Sequence, residues 1–268
     1  MSLSAERNVH LTPAWEFGPI ATIPLLSPAQ LDPRAAEEVR AALRPLVACG
    51  VVDPALRSFA PQVNRRYWRT ALDAIRGYRH RWRLLDVSCG VGAFAHAAAL
   101  DGWEAAGCDA SAAATTYGAT NLGVDLRAAT DGRLPFPDEE FDVVTLHAGF
   151  PGTDVAADGL AEVVRVLRPV GALYLVVENA MAAARCAAGA PDAADAHTAG
   201  EVLVRLQAVG LHPVRLDYGG ASAATVVAGL PPGDPARVAF ARASDVSTDL
   251  SIHAATITVL AERRREAA

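Results

Sequence analysis

"LLDVSCGVG", residues 84–92, decides the fold. An apolar run of strand type meets an aspartate and then a short turn holding Gly90 and Gly92. Such glycines let a backbone pass close to a ligand. A dinucleotide-binding turn would carry a third glycine and aim a helix N-terminus at a pyrophosphate. Here the order Asp86-Val87-Ser88-Cys89-Gly90-Val91-Gly92-Ala93-Phe94 lacks that glycine, and Asp86 at the mouth would repel phosphate. A carboxylate in that place suits a ligand with positive charge, such as an amino-acid ammonium.

Outward from this stretch, helices and strands alternate. A helix over about 66–78 leads into the strand RLLDV (83–87), and the small-residue helix GAFAHAAALDG (92–102) follows it. Next come the strand EAAGCDA (104–110), a helix that Ser111 can cap, and the strands VDLRAAT (124–130) and FDVVTLHA (141–148). Leu160, Val163, Val164 and Leu167 then repeat at helical spacing, and ALYLVVE (172–178) is a continuous apolar run of strand type. A helix with Val202, Leu206 and Val209 on one face precedes the strand HPVRLDYG (212–219), and AATITVLAE (254–262) reads as one more strand. ASAATVVAGL (221–230) reads as a helix.

This alternation calls for an α/β fold: a doubly wound, mostly parallel, seven-stranded sheet covered on both sides. Ligands of such sheets sit outside the carboxyl ends of the strands, where Asp86, Asp109 and His147 should converge. Residues 1–64 differ in kind. They are rich in proline and hold one clear helix, DPRAAEEVRAALRPLVACG (32–50), which Asp32 can cap, Pro33 can start and Gly50 can end. We expect 1–64 to be an arm or lid and 65–268 the ligand-binding domain.

Composition narrows the function. Half of the 268 residues are apolar, enough for a full core, and all 24 basic residues are arginine. A net charge of −6 argues against a general nucleic-acid binder, which needs a basic stripe. The stretch RRYWRTALDAIRGYRHRWR (65–83) mixes arginine with aromatics, a mixture an RNA reader can use for stacking, yet it reads better as an amphipathic helix with a solvated arginine face. Cys49, Cys89, Cys108 and Cys186 form no CxxC pair, so neither a zinc site nor a redox motif is expected. The N-terminus lacks a positive region followed by an apolar run, and no apolar run approaches membrane-spanning length. The expectation is a cytoplasmic protein with no membrane and no nucleic-acid partner, for which a homodimer is allowed.

LLDVSCGVG resembles the first motif of class I S-adenosylmethionine (SAM)-dependent methyltransferases, an acid, any residue, then Gly-x-Gly-x-Gly. Asp86, Gly90 and Gly92 match; Ser88 replaces the first glycine. The similarity runs in order through about residues 80–218: GCDAS (107–111), LPFPDEEFDVV (134–144), AEVVRVLRPVGALYLVV (161–177), with Val170 where glycine is common, and LVRLQAVGLHPVRL (203–216). The resemblance implies SAM as cofactor and S-adenosyl-L-homocysteine as product. It implies that Asp86, Ser88, Gly90 and Gly92 form the cofactor turn and that Asp109 holds the ribose, with Ala110 beside it. A carboxylate suits a cis-diol because it accepts from both hydroxyls. For the adenine amino group the matching position is Thr130, with Asp131 next to it; alternatively Asp131 merely starts the turn TDGR (130–133). Leu146 and Tyr67 complete the implied cofactor set, and Tyr67 with Trp68 would close over the methionine end.

For the chemistry, His147 is the candidate general base, just past the fourth strand in TLHAGFPG (145–152); the alternative is that it only lines the pocket. Phe150 would line the acceptor pocket, roofed by the arm and by MAAARCAAGAPDAADA (181–196). Metal-dependent catechol-type enzymes need carboxylates after the fourth strand; HAGFPG (147–152) has none and Asp154 stands alone, so no metal is expected. An Asn/Asp-Pro-Pro-aromatic motif for bases or glutamine is missing. The expected function is methyl transfer to an oxygen or nitrogen of a small molecule, in natural-product biosynthesis. The alternative keeps SAM binding and catalyses a cyclisation or rearrangement instead.

Overall fold

The computed structural model describes residues 22–147, 156–180, 196–219 and 256–264. The main sheet contains β3 (Arg83–Val87), β4 (Glu104–Asp109), β5 (Asp125–Ala128), β6 (Phe141–Leu146), β7 (Leu167–Asn179), β9 (Leu211–Gly219) and β10 (Thr256–Arg263). Their spatial order is β5-β4-β3-β6-β7-β10-β9, and the two-residue β8 (Ala196–His197) pairs with β7. Strands β3 to β7 are parallel; β10 runs antiparallel between β7 and β9. This is the expected seven-stranded, mostly parallel sheet. The chain winds from β3 outward through β4 and β5, then crosses back to β6, so a crevice opens beyond the ends of β3.

The strands form where they do because their side chains are buried on both faces. Leu84, Leu85, Phe141, Val143, Val144, Leu173 and Leu175 are all fully enclosed. Helices α4 (Ala93–Leu100), α5 (Ala112–Leu122), α6 (Ala156–Val166) and α7 (Ala199–Ala208) flank the sheet. Their caps are written in the sequence: Ser111 Oγ accepts from Ala114 N, and Thr198 with Glu201 forms a reciprocal capping box.

In the N-terminal segment, β1 (Ile23–Pro24) pairs with β2 (Ser58–Phe59), and α1 (Pro33–Ala48) lies between them in sequence. Asp32 caps α1 through Arg34 N and Ala35 N, and Gly50 follows its end at φ 74°. The segment is packed onto the sheet domain: Val39, Leu43, Leu46 and Phe59 share an apolar cluster with Val91, Ala93, Ala114 and Tyr117. Leu26 is bound twice to α5, its O accepting from Tyr117 Oη (2.6 Å) and its N donating to Asn121 Oδ1 (2.8 Å).

Two expected elements are different. Leu167, expected at helical spacing with Leu160, Val163 and Val164, instead opens β7, five residues before the expected start of that strand. The single helix over 66–78 is two short helices, α2 (Pro61–Tyr67) and α3 (Arg69–Ile75), that meet at Trp68. Trp68 leaves the helical geometry at φ −88°, ψ 5°. Tertiary contacts impose the break. The Trp68 indole N–H donates to Asn64 Oδ1 (3.1 Å), and buried Asn64 donates to the carbonyl of Ala93 (2.7 Å). The indole is thereby turned onto Phe94. The expected helix over 221–230 and residues 181–195, Phe150 and Asp154 lie outside the described residues. Among the described residues, no helix is long and apolar enough to cross a membrane.

Candidate functional site

A crevice of about 470 Å³ lies beyond the carboxyl ends of β3, β4 and β6. Asp86, Ser88, Gly90 and Asp109 line its floor, Trp68, Phe94 and His147 one end, and α1 its roof. The turn after β3 takes its shape from left-handed residues: Ser88 (φ 58°), Gly90 (56°) and Gly92 (76°). Ser88 thus holds the first glycine's conformation, at a strain of roughly 1–2 kcal/mol. A Cβ on Gly92 would come within 2.7 Å of Leu126 Cδ1, so the turn is pressed against β5.

Asp86 is 3% exposed and accepts a hydrogen bond from Thr145 Oγ1 at 2.9 Å. Burial pushes its carboxyl up to about 7; the Thr145 bond works against that, and Asp109 adds to it. A buried acid with no cation beside it among the described residues is a place prepared for one. Asp109, at the end of β4, is held by two backbone donors: Gly90 N to Oδ2 (2.8 Å) and Ser111 N to Oδ1 (2.9 Å). Each oxygen keeps a lone pair for a further donor. Burial also raises the thiols of Cys89 and Cys108, the latter to about 12, so both stay protonated and act as small apolar groups.

His147 sits against three aromatic rings, with centroids at 4.6 Å (Trp68), 4.3 Å (Phe94) and 5.7 Å (Tyr174). Its Nε2 is buried and has no hydrogen-bond partner among the described residues. Burial lowers its pKa to about 3, so the imidazole is neutral at physiological pH. A neutral ring so enclosed holds a proton weakly.

The fold thus brings Asp86, Ser88, Gly90, Asp109 and His147 together, with Gly92 directly behind the turn. Other expected residues lie apart. Thr130 and Asp131 belong to a tight turn in which Thr130 pairs with Arg133 and both Asp131 (φ 56°) and Gly132 (φ 70°) are left-handed. Such values mark a two-residue Asp-Gly turn, and Thr130 borders a separate depression of about 360 Å³. Leu146 is enclosed in the core below the crevice. Ala110 is exposed between Asp109 and Ser111. Tyr67 is 55% exposed and stacks edge-on against Trp68, which reaches the crevice in its place. Sequence reading expected the arm as a roof but did not single out the residues of α1 that form it: Glu38, Ala41, Ala42, Pro45 and Leu46. Their spacing, i, i+3, i+4, i+7 and i+8, is one helical face, and that was the available signal.

Residues 85–175 match a family model described as a methyltransferase domain. The demethylmenaquinone methyltransferase of Beutenbergia cavernae is 39% identical over 112 residues, covering 41% of this chain and 46% of that protein. The ubiquinone/menaquinone biosynthesis C-methyltransferase of Stutzerimonas stutzeri is 32% identical over 122 residues, covering 41% and 47%. The chain thus spans about half the length of the curated relatives it matches. Among solved structures, geranyl diphosphate C-methyltransferase from Streptomyces coelicolor, in complex with Mg2+, geranyl diphosphate and S-adenosyl-L-homocysteine, aligns with a TM-score of 0.52 at 16% identity. That alignment covers 74% of this chain and 80% of that one, and it is a likeness of fold.

Proposed function

We propose that this chain, a member of the class I S-adenosylmethionine-dependent methyltransferase superfamily, methylates a small molecule. One observation carries the reading: a buried Asp86, without a cationic partner among the described residues, and a doubly anchored Asp109 share one crevice at the switch point of the sheet. The donor set fits the cofactor. Asp86 meets the ammonium of the amino-acid end, the turn Ser88–Gly92 passes under the ligand, and Asp109 accepts from the ribose diol. Within the arm, α1 covers it.

SAM, when bound, supplies an electrophilic methyl group on a sulfonium, which leaves with its bonding electrons as the neutral thioether. The chain's own residues orient and enclose. Trp68, Phe94 and Tyr174 exclude water around His147, and in-line transfer gains most from such alignment. His147 lines the crevice, and the part of its neutral ring that faces it packs beside an oxygen or nitrogen nucleophile and fixes its orientation. The acidic net charge supports a small acceptor over a nucleic acid, and we place the reaction in natural-product biosynthesis.

A second acceptor atom has its own support. The matched relatives carry names of quinone-pathway enzymes, one of them a C-methyltransferase. A carbon beside an acidic phenol needs no strong base, which suits a histidine whose pKa burial lowers to about 3. Label transfer from [methyl-3H]SAM to demethylated naphthoquinols, phenols and amines, with mass spectrometry locating the new methyl, decides between carbon and heteroatom. Calorimetric binding of S-adenosylhomocysteine with no label transfer to any acceptor would favour the cyclisation or rearrangement reading. Binding of NAD(H) in its place overturns the proposal.

A further inference from the structure

The roof helix places one acid at the sugar end of the crevice. On α1, Ala41, Ala42, Pro45 and Leu46 form a face without polar atoms in their side chains, and Ala42 packs close on the turn: a Cβ built on Gly90 would lie 3.6 Å from its own. Glu38 stands one turn earlier on that face. Its Oε2 accepts a hydrogen bond from Ser111 Oγ at 2.6 Å, and Ser111 in turn donates its backbone N–H to Asp109. Two carboxylates from opposite walls therefore meet through one serine. Among the described residues, Glu38 Oε1 takes only Arg34 Nε at 3.2 Å, a pair at the outer surface. Each oxygen of Glu38 thus has a lone pair left for a further donor.

We propose that Glu38 is a second diol acceptor, taking one ribose hydroxyl of the nucleoside cofactor while Asp109 takes the other, so that the sugar holds α1 down over the crevice. This rests on the reading of the crevice as a SAM site. Alternative ligands for Glu38 fit less well. The crevice already holds two acids on its floor, which disfavours an anion, and among the described residues no group of three His, Cys, Asp or Glu is placed to hold a metal ion. A hydroxyl donor satisfies a carboxylate without adding charge. The consequence is a specificity device on the arm: a ligand without ribose hydroxyls leaves Glu38 unpaired and the roof loosely held.

The test is calorimetry with S-adenosylhomocysteine and with its 2′-deoxy and 3′-deoxy forms, on the full chain and on Glu38→Gln. Glutamine keeps the side-chain length and can still accept from Ser111, and a circular dichroism melt checks the fold. Wild type should bind the parent compound about tenfold more tightly than Glu38→Gln does, the gain of a charged over a neutral acceptor. One of the two deoxy forms should bind the variant nearly as well as the parent compound does, because the partner of that hydroxyl is already weakened. Equal affinity of wild type and variant for the parent, or full discrimination against both deoxy forms retained in the variant, overturns the role of Glu38 and leaves the SAM site standing. A wild-type chain that binds no S-adenosylhomocysteine at all overturns the SAM reading, and this inference with it.

Discussion

Gly118→Ala is a substitution whose sign depends on which of two effects is larger. Gly118 lies inside α5, where alanine is favoured over glycine by about 1 kcal/mol from propensity alone. Propensity therefore predicts a more stable protein. The packing predicts the reverse. A Cβ at this position would lie 2.2 Å from the carbonyl oxygen of Val91 and 2.7 Å from its carbonyl carbon. Non-bonded heavy atoms prefer roughly 3.5 Å or more, so helix and turn must separate by about 1 Å. Overpacking of this kind costs about 1–3 kcal/mol, and the upper end applies because the obstacle is backbone. The net expectation is a loss of about 2 kcal/mol, or a Tm lower by about 4–8 °C for a chain of this size. The strain also reaches the site, since Val91 sits between Gly90 and Gly92 and Gly90 N holds Asp109 at 2.8 Å. Differential scanning calorimetry measures the first effect and titration with S-adenosylhomocysteine the second. A Tm equal to or above that of the wild type refutes the close packing of α5 on the cofactor turn.

Further outcomes follow from three single residues. Val170 is a β-branched residue at φ 64° and 43% exposed; Val170→Gly relieves about 1–2 kcal/mol of strain against about 0.5–1 of added chain entropy, so a thermal melt should show a Tm raised by a few degrees, and a lowered Tm sinks the strained-turn account. His147→Gln should lower turnover well over tenfold while the affinity for S-adenosylhomocysteine stays within about twofold. Because burial lowers His147 to about 3 from 6.5, the wild-type kcat profile should carry no His147 inflection near neutrality; an inflection that vanishes in the variant would refute the neutral, enclosed ring. Asp86 is raised to about 7 from 3.8, so between those values the folded chain binds more protons than the unfolded one. Its contribution to stability is therefore fully present below about pH 4 and lost as pH climbs through 7. Chemical denaturation across pH should show that slope in wild type and lose it in Asp86→Asn. A bound ammonium favours the carboxylate, so binding near pH 6.5 should release protons, read by calorimetry in buffers of different ionisation heat; equal heats in all buffers count against Asp86 as the ammonium's partner.

What could be read from the sequence, and what could not, divides along a physical line. The sheet was legible because each of its strands is a contiguous run whose neighbours in space are set by parallel alternation; RLLDV, EAAGCDA and FDVVTLHA occupy β3, β4 and β6 within a residue or two. Caps were legible because Asp32 and Ser111 act on amides two or three residues away. The turn after β3 was legible down to Ser88, whose left-handed backbone preserves the shape that a glycine would give without strain. Features that depend on residues far apart in the chain were not. Trp68 breaks its helix because Asn64 is tied to Ala93, 29 residues on. The lowered pKa of His147 needs Trp68, Phe94 and Tyr174 at once, and a histidine after a strand looks the same in sequence whether it faces water or three rings. At Asp131 the turn TDGR was legible, because its neighbour Gly132 supplied the local signal that the backbone follows. Glu38 is the instructive case. Its helix was recognised, and its face was recoverable from small residues at i+3, i+4 and i+7, yet an acid on a solvated arm and an acid over a crevice differ only in what lies opposite. That partner, Ser111, is 73 residues later. Local rules therefore place the scaffold and its loops, while the chemistry of this crevice arises where the arm and the sheet domain close on each other.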